Sequence, residues 1–208
     1  MSISATTRGL RPGVCTSSTR PSSPYDGQLI YETDTNRVAV YDTNAWVYKT
    51  PDTTTGSVLQ VVSTIKTDSF TTTSLSFVDV TGFSVSITPK FSSSKILVLV
   101  TMTVGSQNTS NAHRAKLLRD STDIAIGDAA GSRTRVSFQD VTTDANQQSF
   151  SGVHVLDSPN TTSAVTYKVQ VSSNVSGQTV GVNRSKTDTD AATVGRSAST
   201  ITVMEIAG

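Results

Sequence analysis

The side chains best suited to acid–base chemistry in this sequence are its two histidines, His113 and His154. A serine nucleophile needs such a base beside it and a third group that orients the base. His154 stands between valines in a strand pattern, and Asp157 follows three residues later. Serine, threonine and aspartate are so abundant that a triad could be drawn around any histidine, so we predict no catalytic residue. His113, beside Arg114, is predicted to lie at a strand edge or a subunit contact.

Residues that could ligate a metal or a cofactor are equally sparse. Cys15 is the sole cysteine, and two separated histidines do not have the spacing of a zinc site. Asp188 and Asp190 could hold calcium together with backbone oxygens, or they could belong to a solvated loop. The glycines of residues 127–131 have neither the lysine nor the helix start of a phosphate cradle. We therefore predict no metal site and no cofactor.

Charge and hydropathy exclude two classes of partner. A net charge of +1 and an isoelectric point near 7.9 provide no basic field for phosphates, so nucleic acid is not an expected partner. The longest apolar run, residues 96–100, is far shorter than the roughly 20 residues that cross a bilayer, so no membrane partner is predicted. Residues 1–11 lack the apolar centre of a secretory signal, and Cys15 has no second cysteine to pair with. These features predict folding in a reducing cytosol.

Composition favours an all-β fold. Among the 208 residues there are 31 serines and 34 threonines, and valine, with 25 copies, is the commonest apolar residue. Valine and threonine are stiff at χ1 and fit the pleated, half-buried surface of a sheet. No stretch has the 3.6-residue period of an amphipathic helix. We expect a valine-rich core between sheets.

The first two zones of the chain are expected to be an arm and a small docking unit. Residues 1–24 combine prolines and polar residues without apolar periodicity, which predicts an extended arm that could add a strand to a neighbouring subunit. Residues 25–50 hold three short strand patterns joined by Asp- and Asn-rich turns, which predicts a three-stranded β-meander. So small a sheet cannot bury its many aromatic rings, so they are predicted to face a partner, or else the next domain of the same chain. The predicted docking residues are Pro21, Pro24, Tyr25, Tyr31, Tyr41, Trp46 and Tyr48.

The remainder of the chain is predicted to be one β-sandwich. Residues 51–56 read as a threonine-rich linker, and residues 57–208 as the sandwich. Residues 95–104 are apolar on both faces in their first half, which predicts a central strand covered by the second sheet and by a neighbour or another subunit. The predicted strands are 59–66, 76–80, 83–88, 95–104, 112–119, 123–127, 149–156, 165–171, 179–182 and 200–206.

Several phrases of the sequence resemble proteins of tailed-bacteriophage virions. Residues 83–104, with Ile87-Thr88-Pro89-Lys90 followed by Ser92-Ser93-Ser94-Lys95-Ile96-Leu97-Val98, resemble a carboxy-terminal domain that recurs in these proteins. Further matching phrases are residues 117–122, 127–133, 156–159, 166–170 and 201–206. Residues 15–21 and 25–34 resemble a short module also found in phage structural proteins. The resemblance implies a jelly-roll-like sandwich similar to the tumour-necrosis-factor and complement globular heads, usually trimeric, that binds rather than catalyses.

Subunit contacts are predicted from the central strand and from one loop. Leu97 and Leu99 lie in the strand that is apolar on both faces, and together with His113 they are expected at a trimer contact. Arg133 and Arg135 lie in a polar loop and could pair with carboxylates across a threefold axis, or remain solvated. A lean apolar composition indicates that the chain completes its stability by association.

The predicted function is structural. The leading hypothesis is a trimeric capsid decoration or cement protein of the virion, assembled in the host cytoplasm, whose arm and meander grip the major capsid protein or other virion subunits. The alternative is a tail or head fibre that binds a host-surface glycan or protein through residues 128–135 and 183–196. A polysaccharide-cleaving tailspike is disfavoured, because it needs paired carboxylates in a groove, and the 16 acidic residues fall mostly in turns.

Overall fold

The computed structural model describes residues 12–48, 55–106, 112–142 and 144–208. The chain divides into two compact units, residues 1–53 and 54–208, which we call the small module and the head. Within the described residues both units consist of β-strands and turns without a helix. The predicted all-β class is confirmed.

The small module is a four-stranded sheet. Its strands are β1 (Gly13–Cys15), β2 (Leu29–Glu32), β3 (Arg37–Asp42) and β4 (Ala45–Tyr48), in the order β1-β2-β3-β4. β2, β3 and β4 form the predicted antiparallel meander, whereas β1 pairs in parallel with β2. β1 comes from residues that the sequence assigns to the arm, so the sheet has one strand more than predicted. A three-residue strand shows no periodicity, which is why sequence reasoning misses it.

The hairpin turns of the meander use residues that tolerate a left-handed backbone. Asn36 has a φ of 55° between β2 and β3, and Thr43 and Asn44 have φ values of 46° and 138° between β3 and β4. Asparagine adopts this region at lower cost than most residues because its short polar side chain bonds to the local backbone. The two turns predicted from Asp and Asn residues are therefore present.

Part of the predicted arm folds back onto the small module. Ser17 donates from its backbone nitrogen at 2.9 Å and from its hydroxyl at 2.5 Å to the carboxylate of Asp34. Nε of Arg20 donates to Oε1 of Glu32 at 2.5 Å. Residues 13–20 thus have partners within their own unit, while the extended path predicted for residues 1–11 lies outside the described residues.

The strands of the head agree closely with the sequence prediction. β7 (Val78–Ile87) unites the two strands predicted at 76–80 and 83–88, and Gly82, at a φ of 75°, lies where the pairing with β13 (Val165–Ser173) shifts register. Two short strands, β6 (Phe70–Thr72) and β11 (Phe138–Val141), are not among the predicted ones. The strands of the head are β5 (Val58–Lys66), β6 (Phe70–Thr72), β7 (Val78–Ile87), β8 (Lys95–Gly105), β9 (Ala112–Arg119), β10 (Thr122–Ile124), β11 (Phe138–Val141), β12 (Ser149–Asp157), β13 (Val165–Ser173), β14 (Val180–Val182) and β15 (Ser199–Ile206).

These strands form two sheets. In the first, the β8 sheet, the order is β5-β15-β8-β12, and the short β14 and β6 continue the sheet beside the end of β8. In the second, the β9 sheet, the order is β7-β13-β9, with β10 and β11 both paired to β9. The longer strands, counted along the chain, therefore alternate between the sheets in the double Greek-key manner of a jelly roll. The predicted sandwich is confirmed.

The core lies between the two sheets. Ile96, Val98 and Val100 of β8 are fully buried in one cluster with Leu117 of β9 and Val169 of β13. Each such side chain contributes about 1.5–3 kcal/mol on burial. β8 has strand partners on both sides, as predicted for a central strand.

A buried carboxylate organises the turn that leads into β8. Glu205 of β15 is fully buried and accepts hydrogen bonds from the hydroxyl of Ser94 at 2.7 Å, the backbone nitrogen of Lys90 at 2.7 Å and Nε2 of Gln60 at 2.6 Å. Burial by itself would raise the pKa of Glu205, but these hydrogen bonds outweigh it and lower the pKa. The ionised carboxylate therefore connects β5, β15 and the turn.

Candidate functional site

The β8 sheet has one face in the core and one face that the described residues leave open. Along β8 the buried Ile96, Val98 and Val100 alternate with Leu97 and Leu99, which point away from the core and are half-buried. Successive side chains of a strand point to opposite faces, so an apolar residue at every position gives a sheet two apolar faces. The second sheet covers only one of them.

Cross-strand register joins the outward residues into an apolar stripe. Val61 of β5 lies opposite Met204 of β15, and Met204 lies opposite Leu97. On the other side of β8, Leu97 lies opposite Leu156 of β12. Val61 and Leu156, at the two ends of the stripe, are 54% and 55% exposed. The stripe therefore crosses four strands without a polar residue.

The rest of this surface is also poor in charge. Phe150, Ile65 and Val58 are 72%, 63% and 55% exposed on the same side of the sheet. Lys95 and His154 are the only ionisable side chains that the described strands β5, β15, β8 and β12 direct to this side. We call this surface the apolar face; its apolar members are Val58, Val61, Ile65, Leu97, Leu99, Phe150, Leu156, Met204 and Ile206, and the uncharged Ser63, Thr101, Thr103, Thr200 and Thr202 lie on the same side.

The outer face of the β9 sheet is polar instead. Asp79 accepts hydrogen bonds from Nζ of Lys168 at 2.9 Å and Nε2 of Gln170 at 2.8 Å, and Lys116 donates to Asp123 at 2.6 Å. Within one sandwich, one outer surface thus carries charged pairs, whereas the other carries an apolar stripe beside mostly uncharged polar residues. Contiguous apolar patches on otherwise polar proteins mark interaction surfaces.

A recess of about 270 Å³ opens in the apolar face at Gly152. Phe150 and His154 stand on either side of it along β12, and Thr101 lies across from it on β8. Only glycine fits at this position, because a Cβ atom on Gly152 would lie 2.1 Å from the carbonyl oxygen of Val100. The recess is of a size to receive a side chain from a partner.

The residues predicted to form trimer contacts lie in different parts of the head. Leu97 and Leu99 lie on the apolar face. Arg133 and Arg135 lie in the exposed loop between β10 and β11, where Arg135 donates to the carbonyl oxygen of Gly127 at 2.6 Å. Neither arginine forms an ion pair with a carboxylate of the described residues.

His113 does not lie at a strand edge, contrary to the prediction. β9 is flanked by β13 on one side and by β10 and β11 on the other. The alternation of β9 turns His113 inward together with Ala115 and Leu117, and its side chain is fully buried. A side chain without exposed surface cannot contact another copy, so the prediction of His113 as a trimer contact is wrong. The prediction relied on the charge of the adjacent Arg114. The sequence does not reveal which face of β9 points into the core.

His113 has a serine and an aspartate nearby, but their geometry is not that of a catalytic triad. Oγ of Ser151 lies 3.4 Å from Nε2 of His113 and donates to Oδ2 of Asp140 at 3.2 Å. In a triad the carboxylate would accept from Nδ1 of the imidazole, and here Nδ1 has no partner among the described residues. Burial lowers the pKa of His113 to about 4. The cluster thus joins β9, β11 and β12 in the interior.

His154 is exposed on the opposite side of its strand from Val153 and Val155, as its alternation predicts. The nearby Asp157 is hydrogen-bonded to other residues. Asp157 accepts hydrogen bonds from Arg119 at 2.7 Å and from the hydroxyl of Tyr167 at 2.8 Å. His154 is therefore a member of the apolar face and not part of a charge relay.

In the loop between β14 and β15, Asp188 is paired with two arginines. Asp188 accepts from Arg196 at 2.5 Å and lies 3.3 Å from Nη1 of Arg184. These contacts occupy Asp188, one of the two carboxylates that the sequence offers for calcium; the other is Asp190. Residues 188–196 line a recess of about 180 Å³, which belongs to the loop considered for a receptor.

Three of the predicted docking aromatics lie on the buried side of the small sheet. The hydroxyl of Tyr48 donates to Glu32 at 2.8 Å and accepts from Arg20 at 2.9 Å. Trp46 meets Tyr41 edge-on, with ring centroids 5.4 Å apart. By strand register, these rings share a face with the buried carboxylate of Glu32. They have partners within their own unit.

The remaining predicted docking residues lie elsewhere in the small module. Tyr31 lies on the opposite side of the sheet, and Tyr25 is 67% exposed just before β2. Pro21 and Pro24 lie in the segment that connects β1 to β2. The predicted aromatic cluster is thus divided among three environments.

Glu32 is a buried residue that sequence reasoning missed. The hydrogen bond from Arg20 lowers the pKa of Glu32, and bonds from Tyr48 and Thr35 reinforce this against the opposing effect of burial. No spacing rule connects these residues along the sequence. Only the alternation in Leu29-Ile30-Tyr31-Glu32 indicated that Glu32 shares a face with the buried Ile30.

Comparison with known proteins adds no assignment. No protein-family model matches this chain, and no curated protein matches its sequence. The part of the chain that the structure describes contains no helix with the length and hydrophobicity needed to span a bilayer.

Proposed function

We propose that this chain is a non-enzymatic structural protein of a tailed-bacteriophage virion, which assembles as a homotrimer through the apolar face of its head. The observation that carries the proposal is that face, which crosses four strands and is left open by the described residues of the head. The phage context rests on the phrases that resemble phage virion proteins, such as Ile87-Thr88-Pro89-Lys90.

The size of the apolar face suits a stable interface. The whole outer surface of these four strands, with its serines and threonines included, covers on the order of 500 Å² in projection, since strands lie about 4.8 Å apart and are here roughly 30 Å long. The accessible area of a side-chain surface exceeds its projection, which brings it near the roughly 800 Å² that each partner buries in a standard interface. Burial of this area supports assembly by the same hydrophobic effect that stabilises the core.

The chemistry of the face favours other copies of the same chain as partners. The face directs no carboxylate outward, and its two ionisable residues, Lys95 and His154, are separated along the strands. A charged partner would find no array of opposite charge there, whereas identical faces meet without strong repulsion. Closed cyclic assemblies are the usual form of homo-oligomers, and the threefold number comes from the resemblance.

The proposed role on the particle is capsid decoration. The trimer would be anchored by residues 1–11 of the predicted arm and by exposed groups of the small module such as Tyr25. By connecting neighbouring capsid subunits through non-covalent contacts, it would stabilise the shell against internal pressure. Assembly would take place in the host cytoplasm, and the mature location would be the virion.

The second candidate is a tail or head fibre with a receptor-binding tip. The observation in its favour is the recess lined by residues 188–196. At about 180 Å³ this recess is smaller than typical small-molecule sites, which makes a glycan contact shallow. Copy number separates the two roles, since a decoration protein approaches the abundance of the major capsid protein and a fibre does not.

Sedimentation equilibrium of the full chain tests the assembly. The unmodified protein is expected to be trimeric, and Leu99→Asp, which places a charge on the apolar face, is expected to be monomeric and folded. Ser84→Asp is the matched control, because Ser84 is exposed on the polar outer face of the β9 sheet. A monomeric unmodified protein, or a Leu99→Asp variant that remains trimeric, contradicts the proposal.

Particle reconstitution tests the anchor. Removal of residues 2–11 leaves β1 and its contacts intact, so the trimer is expected to persist while binding to capsids is lost. Decoration at the unmodified level by this truncated protein would refute the role of the arm.

A further inference from the structure

The small module has an uncovered apolar surface of its own. By register, Val14 of β1 lies opposite Tyr31 of β2, and Tyr31 lies opposite Val38 of β3. A second row joins Leu29 to Val40, and Val40 to Val47 of β4. We call these six residues the module face.

The module face is open and uncharged. Val14, Leu29 and Val47 are 70%, 46% and 39% exposed. Asp42, at the end of β3, is the one charged strand residue of the described module that shares this side, and it lies at the rim next to a turn.

The opposite side of the same sheet is already occupied. Ile30, Glu32 and Ala39 are at most 1% exposed there, and the guanidinium of Arg20 reaches across to Glu32 and Tyr48. A sheet of this kind needs a second layer on each apolar side. The module face is the side for which the described residues of the module provide no layer.

The area of the module face restricts what can cover it. Two rows of residues on four strands cover on the order of 150 Å² in projection, well below the roughly 800 Å² of a stable interface. A partner protein that is free in solution would not bind stably to so small a surface. The face can contribute only where its partner is already kept close by another contact.

Sibling copies meet this condition, as does the head of the same chain, and the cross-linking test below separates the two. Nine residues, 49–57, separate β4 from β5, and a chain of that length spans at most roughly 30 Å. If three heads are joined, their small modules share one limited volume, which corresponds to effective concentrations on the order of millimolar. The absence of charge within the face also lets identical copies approach one another.

We propose that, in the assembled trimer, the module faces of the three copies pack against one another around the threefold axis and form a second, smaller apolar core. This inference rests on the proposed trimer. It assigns Tyr31 to contacts between siblings and leaves Tyr25 and the arm to contact the capsid.

Site-directed cross-linking of the full chain tests the inference. In a Cys15→Ser background, Leu29→Cys places one thiol on the module face, and a short bismaleimide is expected to convert the protein to covalent dimers. Tyr25→Cys is the control, since Tyr25 belongs to the same module, is 67% exposed and lies outside the face. Cross-linking of Leu29→Cys should exceed that of Tyr25→Cys at least tenfold at dilute protein concentration.

The outcomes separate this inference from the proposed function. A trimer in which Leu29→Cys cross-links no better than Tyr25→Cys overturns the inference and leaves the proposed function standing. A monomeric unmodified chain overturns both. If the fluorescence of Trp46 shows that Leu29→Cys disturbs the module, Val47→Cys on the same face replaces it, and the same comparison decides.

Discussion

Arg119 of β9 and Asp157 of β12 connect the two sheets of the head. Nη1 of Arg119 lies 2.9 Å and 2.7 Å from the two carboxylate oxygens of Asp157. The hydroxyl of the buried Tyr167 donates to the same carboxylate at 2.8 Å, and burial together with Asp157 raises the pKa of Tyr167. β12, an edge strand of the β8 sheet, is thereby linked at one end to the β9 sheet.

Asp157→Asn should destabilise the head. The substitution removes the ion pair with Arg119 and leaves the buried hydroxyl of Tyr167 with a poorer acceptor. We expect a loss of about 2–3 kcal/mol in the free energy of unfolding, measured by urea denaturation. Asp79→Asn, which breaks the more exposed pair with Lys168, should cost less than about 1 kcal/mol. Equal losses for the two variants would contradict the assigned role of Asp157.

Buried His113 should make the head sensitive to moderate acid. Its pKa falls from 6.5 in the unfolded chain to about 4 in the folded protein, because burial disfavours the charged ring. The unfolded state therefore binds more protons between these values, and stability is full above pH 6.5 and decreases as the pH falls towards 4. The loss is on the order of 3 kcal/mol, and Asp140 is the charged group that partly opposes it.

His113→Leu should flatten this pH dependence, which urea titrations at a series of pH values will measure. The unmodified protein, titrated in parallel, is the reference. An unaltered slope in His113→Leu would show that another group is responsible.

Glu205→Gln should weaken the turn before β8. The amide group of glutamine would face the Nε2 donor of Gln60 or the donors of Ser94 and Lys90, so one hydrogen bond is replaced by a donor–donor contact. We expect a loss of about 2 kcal/mol at neutral pH. Since folding lowers the pKa of Glu205 below 4.5, its contribution is present above that pH and is lost as the pH falls through the lowered value. The difference between the two proteins should therefore shrink in strong acid; a constant difference would contradict this.

Glu32→Gln should loosen the small module selectively. The variant removes the charge that Arg20 pairs with and disturbs the bonds from Tyr48 and Thr35. Trp46 is the sole tryptophan, so its fluorescence reports on the small module. The expected result is a lower urea midpoint for the Trp46 transition, with the β-sheet circular dichroism of the head unchanged. Coincident shifts in both signals would show that the two units unfold together.

Strand positions were largely predictable from the sequence. The prediction for residues 112–119 coincides with β9, and those for 95–104, 149–156 and 165–171 differ from β8, β12 and β13 by one or two residues at an end. Alternation of apolar and polar side chains is a local property, so it is visible without knowledge of the fold.

Which side of a strand is buried was less predictable. In Ala112-His113-Arg114-Ala115 both alternations contain a polar residue, and only the packing of β12 over β9 shows that His113 faces inward. The same applies to β1, whose three residues become a strand only because β2 provides a parallel partner.

By itself, the sequence determined the all-β class, the longer strands and the apolar character of both sides of β8. Only the tertiary structure decided that Val61, Met204, Leu97 and Leu156 form one stripe. These residues come from strands far apart in the chain, and their alignment depends on hydrogen-bond register between strands, a property that no local pattern encodes.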